Sequence, residues 1–226
     1  MQDTTQPPLN PLPPVVWALA LPIVAMEVVF ALGASGLAGG PAAIGWRLQA
    51  LERFAFGPGI LTWMIETGRW PWMQAMRIVT YPFVHGSVMH AVFAVVLLLA
   101  LGKMVGEVFR WWGVLAVWFG AAVVGALVYW GVGVEAALFG AYPPVYGLIG
   151  AFTFLMWVRL AAAGANRLRA FGLIATLLAI QFVFGVFFGG GSEWIADVAG
   201  FAAGFALSFV VVPGGVARVI ALIRQR

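Results

Sequence analysis

The sequence has few of the residues that soluble enzymes and nucleic-acid-binding proteins rely on. Charged residues make up 9% of its 226 positions, and it contains no cysteine and two histidines. Without cysteine there is no disulfide framework, no thiolate nucleophile and no cysteine-ligated metal. The few basic residues are spread among the loops, whereas a nucleic-acid-binding protein needs a basic patch on one face. We therefore expect neither nucleic acid nor a cofactor as a ligand.

Apolar residues dominate instead, at 63% of the chain with a mean hydropathy of +1.02. Such a chain belongs in a bilayer, where about 20 apolar residues span the hydrocarbon as a helix. Six spans are predicted, at about 14–37, 84–104, 111–132, 138–158, 170–188 and 194–212. The predicted fold is therefore an all-α integral membrane domain over 14–212. A disordered tail (1–13) and a basic cytoplasmic tail (213–226) flank it.

The loops predict how the chain is oriented. Eight Lys and Arg residues lie on the side of both termini and four on the other, which places both termini in the cytoplasm. The excess of arginine over lysine hints at a bacterial source, and hence at the inner membrane. The long connection 38–83 contains tryptophans and spaced apolar residues, which favour a structure lying in the membrane interface. A disordered loop is the alternative.

Ionisable residues inside predicted spans are functional candidates, because an unpaired charge in a bilayer is costly. They are Glu27, His85, His90 and Asp197, with Gln181 as a neutral polar group. The two histidines are five residues apart, about 140° around a helix, so they do not form the i,i+4 pair that binds zinc. No metal site is predicted, and two histidines held by hydrogen bonds remain an alternative to a functional role. For Glu27, a polar partner and a neutral state both remain open.

The stretch "RIVTYPFVHGSVMHAVFA" resembles the start of the second helix in the rhomboid family of intramembrane serine proteases. Further along, "LGKMVGEVFRWWG" and "ADVAGFAAGFALSF" are similar to two other family segments. The resemblance implies a bundle of six transmembrane helices with a long interfacial loop after the first. The residues that match the family pattern, or that would support its fold, are Arg77, Thr80, Phe83, His85, His90, Glu107, Arg110, Gly147, Gly150, Gly200 and Gly204. The last four favour close helix packing on general grounds as well.

The resemblance also implies a Ser–His dyad, and this chain departs from it. Aligning the family's GASGxxxGLxGA with "GAYPPVYGLIGA" puts Tyr142 at the serine position, and Asp197 stands at the histidine position. Ala94 replaces an oxyanion-binding asparagine, which leaves His90 in that region. Because a residue before proline avoids the helical conformation, we predict an extended Tyr142 and a helix beginning at Pro143. We also predict a hydrogen bond from the Tyr142 hydroxyl to Asp197 or His90. No catalytic residue is predicted.

The sequence contains two further candidate nucleophiles, Ser35 and Tyr142. Ser35 lies in a "GASG" word, but this ends the first span without the helix that follows in the family, and no histidine in the last span can serve it. A Tyr142–Asp197 dyad is conceivable, yet amide hydrolysis would also need a donor for the leaving group.

The predicted function is that of a catalytically inactive rhomboid-like protein that binds or scaffolds transmembrane partners. The resemblance implies a lateral opening between the second and fifth helices. Phenylalanines on the fifth span are candidates for partner contact, with plain lipid contact as the alternative: Phe182, Phe184, Phe187 and Phe188. The alternative functions are an active, atypical intramembrane serine-type endopeptidase and a fixed subunit of a larger membrane complex.

Overall fold

The computed structural model describes residues 11–188 and 191–214, and within them the chain is helical apart from turns and one isolated β-bridge. Most of the two predicted tails lies outside the described residues. The α-helices are α1 (Pro14–Ala34), α2 (Trp46–Phe54), α3 (Pro58–Thr67), α4 (Trp72–Ala75), α5 (Arg77–Thr80), α6 (Val88–Gly106), α7 (Trp111–Gly131), α8 (Tyr142–Ala162), α9 (Gly172–Phe188) and α10 (Trp194–Val211). Short 3₁₀ helices occupy Pro41–Gly45, Tyr81–Phe83 and Arg167–Phe171.

Five of the described helices are long and apolar enough to cross a membrane: α1, α6, α7, α8 and α10. They correspond to five of the six predicted spans. The sixth, predicted at 170–188, contains the 17-residue helix α9, which ends where the described residues are interrupted. The all-helical membrane fold is thus confirmed, while a count of six spans stays a prediction.

The helices of the second and fifth predicted spans begin later than predicted. The second span was predicted from residue 84, but α6 begins at Val88, where the Ser87 hydroxyl accepts a hydrogen bond from the His90 backbone N–H at 3.2 Å. Such a bond caps an otherwise unpaired donor at the helix start. α9 begins at Gly172 and not at 170, because the preceding residues form the 3₁₀ turn Arg167–Phe171, which Asn166 caps by accepting a hydrogen bond from the Leu168 backbone N–H at 2.9 Å.

α8 lies at the centre of the bundle. Its first half is buried against α6, α7 and α10, and every residue from Pro143 to Ala151 is buried. The contact with α10 is made backbone to backbone: a Cβ on Gly204 would collide with the Gly147 carbonyl, and one on Gly150 would collide with the Phe201 carbonyl. Glycine at these positions lets the two helices approach more closely than any side chain would permit.

Residues 41–83 form a chain of short helices that is fastened to the bundle at several points. The backbone of Phe56 pairs with that of Leu138 in an antiparallel bridge. The Tyr81 hydroxyl donates to the Ala122 carbonyl at 3.0 Å, and the Trp130 indole donates to Thr62 at 2.9 Å. This segment is therefore ordered, and it holds the approach to α6 and α8 in place. Its position in the membrane interface stays a prediction.

α9 sits at the edge of the bundle. In the described part of the chain, it contacts mainly the preceding 3₁₀ turn and α8, and it is not packed closely against α6. Its outward-facing side chains include Ile180, Val183 and Phe187, of which Phe187 is 75% exposed. Toward its start, α9 is anchored by Ile174, which is buried in the core.

Candidate functional site

Tyr142 lies where the sequence places the nucleophile position, but its conformation differs from the prediction. It is the first residue of α8 and not an extended residue before it, so the helix begins one residue before Pro143. Ala141 is the N-cap, and its carbonyl accepts the first helical hydrogen bond, from Val145 at 2.9 Å. The prolines are tolerated because the backbone N–H groups in the first turn of a helix have no partner within the helix, so no helical hydrogen bond is lost. The preference of a residue before proline for extended backbone is overridden here.

The Tyr142 ring lies flat on the His90 ring, with the ring centroids 5.0 Å apart and the planes at 15°. The predicted hydrogen bond from its hydroxyl to Asp197 or His90 is wrong: within the described residues neither receives one. His90 is further enclosed by the edges of His85 and Phe139, at centroid distances of 5.1 Å and 6.0 Å. The phenol therefore covers the histidine by stacking.

Asp197 is held by a partner that the sequence did not assign to it. In the first turn of α10 it is 2% exposed, and its Oδ2 accepts a hydrogen bond from Gln181 Nε2 of α9 at 2.8 Å. No hydroxyl donates to this carboxyl within the described residues. A base must be within hydrogen-bond reach of the nucleophile that it activates. Among the described residues, Asp197 has no nucleophilic hydroxyl bonded to it and so cannot act as such a base.

His85 is buried completely, in the turn that leads into α6. Its ring Nε2 accepts a hydrogen bond from the Ala141 backbone N–H at 3.2 Å, so the ring is neutral at this nitrogen and fixes the residue that precedes Tyr142. Burial, followed by the nearby His90 and Arg47, lowers the pKa of His85 to about 3. His85 thus acts as a support for the start of α8, while Ala94, also fully buried, offers no polar group.

Acidification is expected to destabilise the protein through His85. The pKa is about 3 in the folded protein and about 6.5 when unfolded, so the unfolded chain binds the extra proton between these values. The His85 contribution to the free energy of unfolding is therefore largest above pH 6.5 and declines as the pH falls toward 3. Thermal unfolding in detergent at pH 7.5, 5.5 and 4.5 should show a falling midpoint for the native protein and a shallower fall for His85→Gln. Parallel pH profiles for the two proteins would contradict this role.

The structure gives Glu27 a partner. Its carboxylate forms a two-pronged ion pair with Arg47 of α2, at 2.8 Å and 2.7 Å, with side chains 13% and 23% exposed. Arg47 also donates to the His85 carbonyl at 2.8 Å and lies over the Phe30 ring at 4.9 Å. An acid in an apolar span signals that a partner exists, but nothing in the sequence distinguishes Arg47 from the other arginines of that loop.

The remaining predicted residues lie away from this site. Arg77 donates to the Ala55 carbonyl at 3.4 Å and borders a cavity of about 190 Å³ among the short helices. Glu107 and Arg110 are exposed in the turn between α6 and α7. Ser35 follows α1, and its hydroxyl donates to the Leu32 carbonyl, so nothing aligns it as a nucleophile. The side chains of Phe182, Phe184 and Phe188 lie outside the described residues.

A comparison with models of protein families identifies one domain family in the chain. The family model of the Rhomboid domain matches residues 73–214 of the chain. That range runs from α4 through α10 and includes His90, Tyr142 and Asp197. No curated protein matches the sequence.

Proposed function

The chain belongs to the rhomboid family of multi-pass membrane proteins, and we propose that it is a catalytically inactive member that binds transmembrane helices of partner proteins. The observation that carries this proposal is the environment of the two dyad positions. The ring of Tyr142 is stacked on His90, while the carboxyl of Asp197 is paired with Gln181. Neither residue is placed to activate the other.

Amide hydrolysis also needs donors aimed at the developing oxyanion. Position 94 is alanine, and the two residues after Tyr142 are prolines, which have no N–H to offer. The ring of His90 lies under the phenol. Loss of the nucleophile, the base and a donor together favours a binding role over slow proteolysis.

The proposed topology has six spans with α9 as the fifth, both termini in the cytoplasm, and a bacterial inner membrane as the location. At 1.5 Å per residue, the 17 residues of α9 extend about 25 Å, close to the hydrocarbon thickness of about 30 Å. The gap between α6 and α9 is the proposed entry for a partner helix. The exposed apolar residues of α6 include Met89, Phe93 and Val96.

Reconstitution with a labelled transmembrane helix tests the proposal. The purified protein is expected to bind the helix in vesicles and to leave it intact. The double variant Tyr142→Ser, Asp197→His should leave it intact too, because the prolines and Ala94 still withhold oxyanion donors. Binding is measured by energy transfer between labels and cleavage by mass spectrometry of the recovered helix.

Cleavage by the native protein that disappears in Tyr142→Ala or Asp197→Ala would identify an atypical protease instead. Cleavage by the double variant would mean that the two prolines do not disable the site. Recovery of the native protein with a partner in fixed stoichiometry in mild detergent would point to a permanent subunit of a complex.

A further inference from the structure

Two buried oxygen atoms at the junction of α9 and α10 have no hydrogen-bond donor in the described part of the chain. They are Oδ1 of Asp197 and Oε1 of Gln181, whose side chains are joined through their other polar atoms by the 2.8 Å bond. A buried acceptor without a donor is costly, and most such groups in proteins are paired. Here two of them lie on one pair of side chains, on neighbouring helices.

The pair lies close to the lipid-facing side of α9. Gln181 is partly buried, and its neighbours Ile180 and Val183 on α9 are 49% and 48% exposed. The bond to Asp197 is the side-chain hydrogen bond that ties α9 to α10 in the described residues. Because Gln181 covers the Asp197 carboxyl through this bond, outward movement of α9 would uncover Asp197.

We infer that Asp197 and Gln181 form a recognition site for a hydrogen-bond-donating side chain carried by the partner's transmembrane helix. This inference rests on the proposed function and states the chemistry of the partner: an amide or ammonium group within an otherwise apolar helix. The donor pairs with the two free oxygens and, as α9 moves outward, takes the place of Gln181 Nε2 on Asp197.

The chemistry of the site selects donors over acceptors. The two unpaired oxygens, Asp197 Oδ1 and Gln181 Oε1, each carry two lone pairs, and the donor at the junction, Gln181 Nε2, is already bonded to Asp197 Oδ2. A partner carboxylate would add another acceptor and meet repulsion. A purely apolar helix would offer no donor, so both oxygens would stay unpaired, as they are in the protein alone.

Matched model helices test the inference with the full-length protein in zwitterionic vesicles. Each peptide has twenty apolar residues and one variable residue, four positions from its outer end, level with Asp197 as the fourth residue of α10. Gln is compared with the similarly shaped Met, and Lys and Glu are added. The Gln and Lys peptides are expected to bind about three- to tenfold more tightly than the Met peptide, and the Glu peptide no more tightly.

The protein variants assign the preference to this pair. Asp197→Leu should abolish the preference for the Gln peptide over the Met peptide. Gln181→Met should change the preference, since it removes both one acceptor oxygen of the site and the internal donor that competes for Asp197. Ser208→Ala is the matched control, because Ser208 is buried on the same helix and bonds only to its own helix at the Gly204 carbonyl.

The outcomes separate this inference from the proposed function. Equal binding of the Gln and Met peptides, as expected if a water occupies the site, would overturn the inference and leave helix binding intact. Binding of no peptide would overturn the inference and count against the proposed function as well. If Asp197→Leu does not fold, Gln181→Met decides: an unchanged preference would overturn the inference.

Discussion

Replacing Glu27 with leucine is expected to lower the free energy of unfolding by about 3 kcal/mol, the low end of the loss from breaking a buried ion pair, because both side chains are partly exposed. The substitution leaves Arg47 with its guanidinium in a partly buried position, 23% exposed, and with the His85 carbonyl as its remaining partner. Equilibrium unfolding in mixed micelles measures the change. The double variant Glu27→Leu, Arg47→Met should recover most of the loss, because it removes the stranded charge together with its partner.

Glu52→Leu is the control for this experiment. Glu52 is an exposed acid on α2, the helix that carries Arg47. A surface substitution there should change stability by about 0.5 kcal/mol or less. If Glu27→Leu had an equally small effect, the ion pair would not contribute to the fold. A double variant no more stable than the single one would show that Arg47 has another essential role.

Gly204→Ala is expected to cost about 3 kcal/mol or more, at the upper end of what overpacking causes. A methyl group at this position would collide with the backbone of Gly147, and a backbone cannot move aside as the end of a flexible side chain can. α8 and α10 would have to separate, which would disturb the most extensive helix contact of the bundle. The same unfolding assay, with helix content followed by circular dichroism, measures the loss.

The matched control is Gly131→Ala, in which the same methyl group is added at the end of α7. A Cβ there meets no atom within 4 Å. Since alanine favours the helix more than glycine by up to about 1 kcal/mol, this variant should be as stable as the native protein or slightly more so. Equal stability of Gly204→Ala and Gly131→Ala would mean that α8 and α10 do not need their close approach.

Hydropathy predicted most of the membrane helices because it reports a property of each segment by itself. The lengths of α1, α6, α7, α8 and α10 follow from the thickness of the hydrocarbon that they must cross. Helix starts were less accurate, since they depend on single polar side chains such as Ser87 and Asn166. The start of α8 was wrong for a related reason: the preference of a residue before proline is local, and the conformation of Tyr142 is set by what surrounds it.

The sequence identified the residues of the site but not the residues that they contact. The family pattern led to Tyr142, Asp197 and His90, but the partners of these residues come from other helices. Gln181 is 16 residues from Asp197 and Arg47 is 20 residues from Glu27, and neither pairing leaves a periodic signal in the sequence. Stacking of Tyr142 on His90 in place of a hydrogen bond likewise depends on the packing of α8 against α6.

The contacts of Arg47 also have a consequence for how the protein is made. Its two kinds of partner become available at different times during synthesis: Glu27 precedes it by 20 residues, whereas His85 follows it by 38. Chains fold from the N-terminus as they emerge, so α1 and α2 can join before α6 exists. The His85 carbonyl then docks on a side chain already in place, and the ring of His85 in turn receives Ala141 at the start of α8. The N-terminal helix would thereby serve as the template on which the later helices are assembled.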